Sequence, residues 1–386
     1  MLLRGGYGCP FMKPFCKLAD PARYRACLWD LCKSAEAREY WCNYFCEHAP
    51  RILASAIESA TTRGERRDEV ERRAKSCLDQ VVSRVRHFQH SHAQFEAVTI
   101  LTFDQWRDGA FREHGFDDCF IDRKESENEL MLPLLAPLID ELDALEEPQR
   151  LRAVIEGVFA GNIFGLGAHA TAHRFMGGDS PDFHHVRETL PARPWRVDDY
   201  DVLEKTWLSR IYRKAVLFID NAGSDFLLGA MPLGRWLAQR GTQVVIAANE
   251  KPTLNDMTIH EVRRWWPRIV QAEPSFGTLS LEFVSTGTAE PLINLARVSD
   301  ELNQAASDAD LVIMEGMGRG VQTNYDAEFN CDVLNIAMLK DTLVAKSFNG
   351  QLFDVICRFR PANPLAHPHS TSLTSLPLKA AVNAID

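Results

Sequence analysis

Beyond residue 211, short apolar runs alternate with longer amphipathic stretches. The runs fall at 215–219, 243–247, 281–284, 311–314 and 352–357, and between them lie 226–240, 256–270 and 299–306, with apolar residues at three- and four-residue spacings. Unbroken runs of this length predict strands buried on both faces, and the intervening segments predict helices that cover them. A further helix is expected near 331–346. Strands alternating with helices imply an α/β fold with a mainly parallel sheet.

Before residue 211 the period is helical. Segments 130–145 and 150–164 read as buried helices, and Pro191 and Pro194 break the pattern before another helical stretch at 202–212. Nearer the start, 22–32 and 35–46 predict helices, and the charged run 63–75 predicts a solvated helix face. The expected organisation is an N-terminal helical extension at 1–75 without evident chemistry, a helical domain at 76–210, a catalytic sheet domain at 211–361 and a flexible tail at 362–386, rich in Pro, Ser and Thr.

Composition narrows the function. Hydrophobic residues are 46% and charged residues 25%, ordinary for a globular chain, while a net charge of −10 argues against a general nucleic-acid binder. The longest apolar run, 130–139, is interrupted by Pro133 and Pro137 and falls short of the roughly 20 residues that a membrane span needs. A soluble cytoplasmic protein without a membrane partner is expected. Six of the ten cysteines lie in the first fifty residues, but none forms the tight pairs of a zinc module, so reduced thiols are expected. His169 and His173 share a helix face, yet no Glu follows His169, so they read as structural or surface groups.

Candidate chemistry collects just after the predicted strands, where ligands bind in an open parallel sheet. Asp220-Asn221-Ala222-Gly223-Ser224-Asp225 follows the first run, Asn249 and then Asn255-Asp256 follow the second, and Glu315-Gly316-Met317-Gly318-Arg319-Gly320 follows the fourth. Asp220, Asn221 and Asp256 offer hard oxygen ligands that suit Mg or Mn, with water and a substrate phosphate completing the shell. Ala222 stands where a haloacid-dehalogenase enzyme needs its second Asp, which excludes that mechanism. The glycine loop also has a dinucleotide reading, weakened because Val321 occupies the place of the third glycine. Alternatively, amides at Gly316 and Gly318 cradle a phosphate and Arg319 grips its oxygens with a two-pronged donor.

These motifs together resemble the metal-dependent damage-control phosphatases, in the subfamily marked by an EGMGR motif. That motif stands intact at Glu315 to Arg319; DN-x-G-x-D is at Asp220 to Asp225, A-x-N at Ala247 to Asn249, and ND at Asn255-Asp256. Thr323-Asn324, Lys340, the stretch around Asn162 and Pro191 to Trp195 also fit the resemblance, which covers roughly 100–360. It implies a Rossmann-like sheet beside a helical domain, a divalent metal (Mn, Co, Ni or Mg) on Asp220, Asn221 and Asp256, and a small phosphorylated metabolite as substrate. The substrate implied is 4′-phosphopantetheine or its oxidised forms, with sugar phosphates as the nearest alternative. Arg319 and Lys340 are the expected phosphate binders, with Asn162, Asn249 and Asn324 nearby, and Glu315 and Asp225 are the candidates for the leaving-group proton. A methyltransferase or dehydrogenase on the glycine loop and a catalytically silent binding protein are the other readings.

Overall fold

The computed structural model describes residues 12–163 and 183–362. Seven strands form one sheet: β1 (Val197–Asp198), β2 (Lys214–Phe218), β3 (Gln243–Ala248), β4 (Leu281–Ser285), β5 (Leu311–Glu315), β6 (Asp332–Met338) and β7 (Val355–Arg360). Their order is β1-β7-β6-β5-β2-β3-β4, parallel at every neighbour except the β6/β7 pair. The expected α/β class and mainly parallel sheet are therefore what forms.

Alternate side chains of the central strands enter opposite cores, as the pleat requires. Ala215, Leu217, Val244, Ile246, Leu311 and Ile313 join a core with helices α4 (Ile121–Asp143) and α5 (Glu147–Asn162). Val216, Phe218, Val245, Ala247, Val312 and Met314 face the other way and pack with Phe15 and Leu18 from the start of the chain.

Two expectations fail, for the same reason. Within the expected helix 331–346 only Thr342–Ser347 is helical and Asp332–Met338 form strand β6 instead; all of β6 is buried, so no polar face marks the pleat. Its buried Asn335 Nδ2 donates to Gly320 O at 2.7 Å and braces the neighbouring loop. Residues 22–32 form no helix either. Their amides are spent elsewhere: Leu28 N donates to Gln322 O at 2.9 Å and Leu31 N to Val98 O at 2.8 Å. In both places tertiary hydrogen bonds override local preference.

Residues 12–91 are not an appendage. Helix α1 (Ala35–Thr62) starts at Ser34, whose Oγ accepts from Ala37 N, and runs alongside α2 (Arg67–Ser91). Small residues Ala49, Ala56 and Ala60 on α1 meet Ala74 and Cys77 on α2 and Phe111 on α3 (Ile100–Glu113). A boundary at 75/76 would thus cut α2 in half. Trp41, Phe45, Phe88 and Phe103 extend this packing onto Ala337 and Ile356 of the sheet. The charged run 63–75 caps the outer end with exposed ion pairs such as Arg67–Glu71, which contribute little.

Upstream of α1 the chain straps across the sheet. Lys13 bridges Val298, Leu18 bridges Phe329, and the buried Tyr24 hydroxyl donates to Asn324 Oδ1 at 2.7 Å while accepting from Leu295 N at 3.1 Å. Tyr24→Phe removes one group and strands two buried partners. Unfolding in urea is expected to show a loss of about 1–3 kcal/mol; an unchanged midpoint and slope would mean that the strap is not held by this hydroxyl.

Candidate active site

From β2 the chain runs to β3 and β4 on one side of the sheet, then returns to β5 on the other side of β2. At such a reversal the loops leave in opposite directions and open a crevice at the strands' carboxyl ends. Asp220 follows β2, Asn249 and Asp256 follow β3, and Glu315 ends β5, so the loops singled out in the sequence converge there.

The crevice floor is a nest of carboxylates. Single oxygens of Asp220, Asp225 and Glu315 lie within 4.8 Å of one another, and all three residues are buried. One nitrogen serves them all: Asn162 Nδ2, from the end of α5, is 2.9 Å from Asp225, 3.2 Å from Glu315 and 3.3 Å from Asp220. Asn221 Nδ2 adds bonds of 2.9 Å to Asp220 and 2.7 Å to Asp225. Burial first, then the neighbouring carboxylates, pushes Glu315 well above the ordinary carboxyl range; Asp225 is raised by burial and by Asp220. The oxygens Asn162 Oδ1 and Asp225 Oδ1 have no hydrogen-bond partner. A nest of hard oxygen donors with orphaned oxygens fits a divalent cation.

Two close approaches explain the small residues. Gly316 has φ +97°, and a Cβ there would collide with the Asp220 carboxylate. A Cβ on Gly161 would lie 2.8 Å from Ser224 O, so α5 reaches the 220–225 loop only because that position is bare.

Arg319 is placed differently from the phosphate grip expected of it. One terminal nitrogen bonds Asp220 Oδ1 and the other bonds Asp256 Oδ2 at 2.5 Å, so the guanidinium bridges two carboxylates. Asp256, held up at about 7 by burial while Arg319 pulls it down, also receives Asn249 Nδ2 at 3.0 Å. Asn249 therefore orients Asp256, and Asn324, whose Nδ2 donates to Arg319 O at 3.0 Å, braces the loop from behind. Gly318 is the close neighbour of Pro291 O, at 2.7 Å from a would-be Cβ, and Gly320 is equally tight against Met314 O. These glycines serve packing, which leaves the dinucleotide reading without a basis.

A cavity of about 140 Å³ opens above the nest, and Asp220, Asn221, Asp256, Gly318 and Lys340 line it. Lys340 Nζ donates to Asn162 O at 2.6 Å. Asp225 and Glu315 lie behind this wall, which does not suit them to protonate a leaving group.

Several residues were not anticipated from the sequence. Lys124, buried on α4, pairs with Asp118 at 2.9 Å and Glu261 at 2.7 Å and reaches Asp256 O at 3.4 Å. One turn on, Asn128 Oδ1 accepts from Gly223 N at 2.7 Å. One face of α4 thus ties down both acidic loops; its signal was two polar residues at i, i+4 in line with the buried stripe. Trp41, Tyr44 and Phe45 of α1, in the segment expected to carry no chemistry, line the same cavity, as do Asp104 and Arg107 of α3. His169 and His173 lie outside the described residues.

Asp104 makes the site pH-sensitive. Burial raises its carboxyl from 3.8 to about 7 while Arg107 opposes the shift. Between about pH 4 and 7 the folded protein keeps a proton there that the unfolded chain releases. Its stabilising contribution is therefore complete below pH 4 and lost as pH rises through 7, with a slope of up to about 1.4 kcal/mol per pH unit. Asp104→Asn should flatten that part of the stability profile measured by urea titration; an unaltered slope would place the proton elsewhere.

Comparison with known proteins agrees with this geometry. Residues 45–356 match the model of the damage-control phosphatase ARMT1-like domain. A damage-control phosphatase of Arabidopsis thaliana is 40% identical over 66% of this chain and 70% of its own length. Pantothenate kinase 2 of the same plant is 34% identical over 91% of this chain and 42% of its own length, and the 4′-phosphopantetheine phosphatase of Mus musculus is 29% identical over 89% and 48%. The chain thus spans under half of these two relatives. In fold it is similar to a DUF89 family protein of Pyrococcus horikoshii, with TM-score 0.58, 19% identity, and 82% of this chain and 97% of that one covered. A family model covering most of the chain places this protein in the damage-control phosphatase ARMT1-like family.

Proposed function

We propose that the chain is a divalent-metal-dependent phosphomonoester hydrolase acting on a small phosphorylated metabolite, 4′-phosphopantetheine or an oxidised form of it. The observation that carries the reading is the convergence of buried carboxylates on one cavity that also presents a lysine. The plant relative, a damage-control phosphatase, and the mouse relative, a 4′-phosphopantetheine phosphatase, favour the same chemistry.

Asp220, Asn221 and Asp256 are the proposed ligands, because they face the cavity where a substrate phosphate must lie. An ion held there, Mn, Co, Ni or Mg, would supply Lewis-acid chemistry, neutralising phosphoryl oxygens. Asp225 and Glu315, one layer deeper, add negative charge and fix the amides of Asn162 and Asn221. Lys340 is the cation suited to a phosphate oxygen. Arg319 holds Asp220 and Asp256 in place, so its contribution is positioning. The substrate is expected to be a free metabolite, with neither nucleic acid nor membrane as partner. A cytoplasmic setting fits the nine unpaired cysteines among the described residues, and no described helix is long and apolar enough to cross a membrane.

Phosphate release should stop in excess chelator and return with Mn, Co, Ni or Mg; undiminished turnover without free metal would overturn the proposal. Calorimetric metal titration sorts the ligands. Asp256→Asn should weaken binding at least tenfold, and more than Asp225→Asn does; the reverse order would move the ion to the Asp220, Asp225 and Glu315 nest. Lys340→Met should lower kcat/KM roughly tenfold to a hundredfold, the worth of a charge-assisted bond, with metal affinity nearly unchanged.

A further inference from the structure

Lys340, the cation offered to a phosphate, is followed in the chain by an acid. Asp341 lines the same cavity and is only 7% exposed. A carboxylate one residue away is a ready competitor for the ammonium, yet Lys340 Nζ donates to the neutral Asn162 O at 2.6 Å. Both Asp341 oxygens are engaged elsewhere. Oδ1 accepts from Leu343 N and Val344 N, each at 3.0 Å, and so caps the helix Thr342–Ser347. Oδ2 accepts at 2.6 Å from the Tyr40 hydroxyl, which reaches across from α1. A carboxylate only accepts, so Tyr40 spends its proton there and itself accepts from Thr342 Oγ1 at 3.0 Å.

A tie that merely docks α1 on the sheet would account for this bond, but docking is secured without it. Ala37, Trp41 and Phe45 of α1 pack with Val344, Ala345 and Phe348 in one apolar core, and Lys346 pairs with Glu36 at 2.7 Å. The backbone at Lys340 is held independently as well: Leu339 N donates to Asp354 O at 2.8 Å and Lys340 N to Met317 Sδ at 3.2 Å. Among the described residues, Tyr40 is the only hydrogen-bond partner of Asp341 Oδ2. The hydroxyl therefore decides where that oxygen points.

We propose that Tyr40 is a positioning residue for phosphate binding: by holding Asp341 Oδ2 it keeps the carboxylate from pairing with Lys340, and so leaves the lysine's charge available. Without the hydroxyl, Asp341 has an unpaired buried oxygen, and the adjoining ammonium is a cation on the same cavity wall that can satisfy it. A lysine so paired is lost to the phosphate, and the carboxylate now turned toward the cavity repels that anion. The inference rests on the reading of Lys340 as a phosphate binder. It gives α1 a hand in the site's charge through a single hydroxyl.

Calorimetric titration of inorganic phosphate into the Mn-loaded protein is the test, with thermal unfolding confirming that each variant is folded. Tyr40→Phe keeps the ring that lies against Trp41 and Tyr44. It should bind phosphate about tenfold more weakly, with Mn affinity unchanged. The same change made in an Asp341→Asn background should cost less than about twofold, because Asn keeps an oxygen for the helix cap but has no charge to offer Lys340. A merely structural hydroxyl would cost the same in both backgrounds. Phosphate affinity in Tyr40→Phe within twofold of wild type, or an equal loss in both backgrounds, would overturn the proposal. Lys340→Met separates this from the reading beneath it. If that variant binds phosphate as wild type does, or wild type binds none, the phosphate-binding role of Lys340 fails and this proposal with it. If it binds at least tenfold more weakly, the Tyr40 variants judge this proposal alone.

Discussion

The site depends on keeping four carboxylates buried together. Asp220, Asp225, Asp256 and Glu315 are each at most 7% exposed, and unpaired charges so placed would be expelled or neutralised. The protein answers in three ways. Arg319 bridges Asp220 and Asp256, the amides of Asn162 and Asn221 thread between Asp220 and Asp225, and Glu315 is biased toward its neutral form by burial and by Asp225. A divalent ion among these oxygens would neutralise the negative charge that the amides only partly offset.

Holding that arrangement recruits both halves of the molecule. Lys124 and Asn128 reach from α4 to the loops that carry Asp256 and Gly223, and Asn335 of β6 and Tyr24 of the strap both anchor the segment after Arg319. Helical region and sheet are therefore one apparatus: the sheet supplies the acids, and the helices fix their separation and wall the cavity.

Most of this was legible where chemistry leaves a local trace. Strands β2 to β5 and the polar residues at their ends could be read from short apolar runs and their successors, because a parallel sheet must bury those runs and bind at those ends. Strand β6 could not, since a strand buried on both faces with Asn335 inside has neither alternation nor a clean apolar run. Nor could Arg319's true partners be read: Asp220 and Asp256 lie 99 and 63 positions away, and only the fold brings them to one guanidinium. The contribution of α1 and α3 was hidden for a related reason. Trp41, Phe45 and Asp104 look like ordinary members of amphipathic helices, and their orientation toward a cavity is set by the sheet beneath them.

The strap from Lys13 to Tyr24 has a temporal consequence. Tyr24 and Asn324 are 300 positions apart, as are Tyr40 and Asp341, nearly, at 301 with a 2.6 Å bond. Contacts of such separation close late, because a loop of that length must be ordered before they reward it. A chain emerging during synthesis can build α1 to α5 early, but the loop that positions Arg319 is clamped only after both ends have been made. Until then the acids are not gathered, and a half-made chain has nothing with which to capture a metal ion.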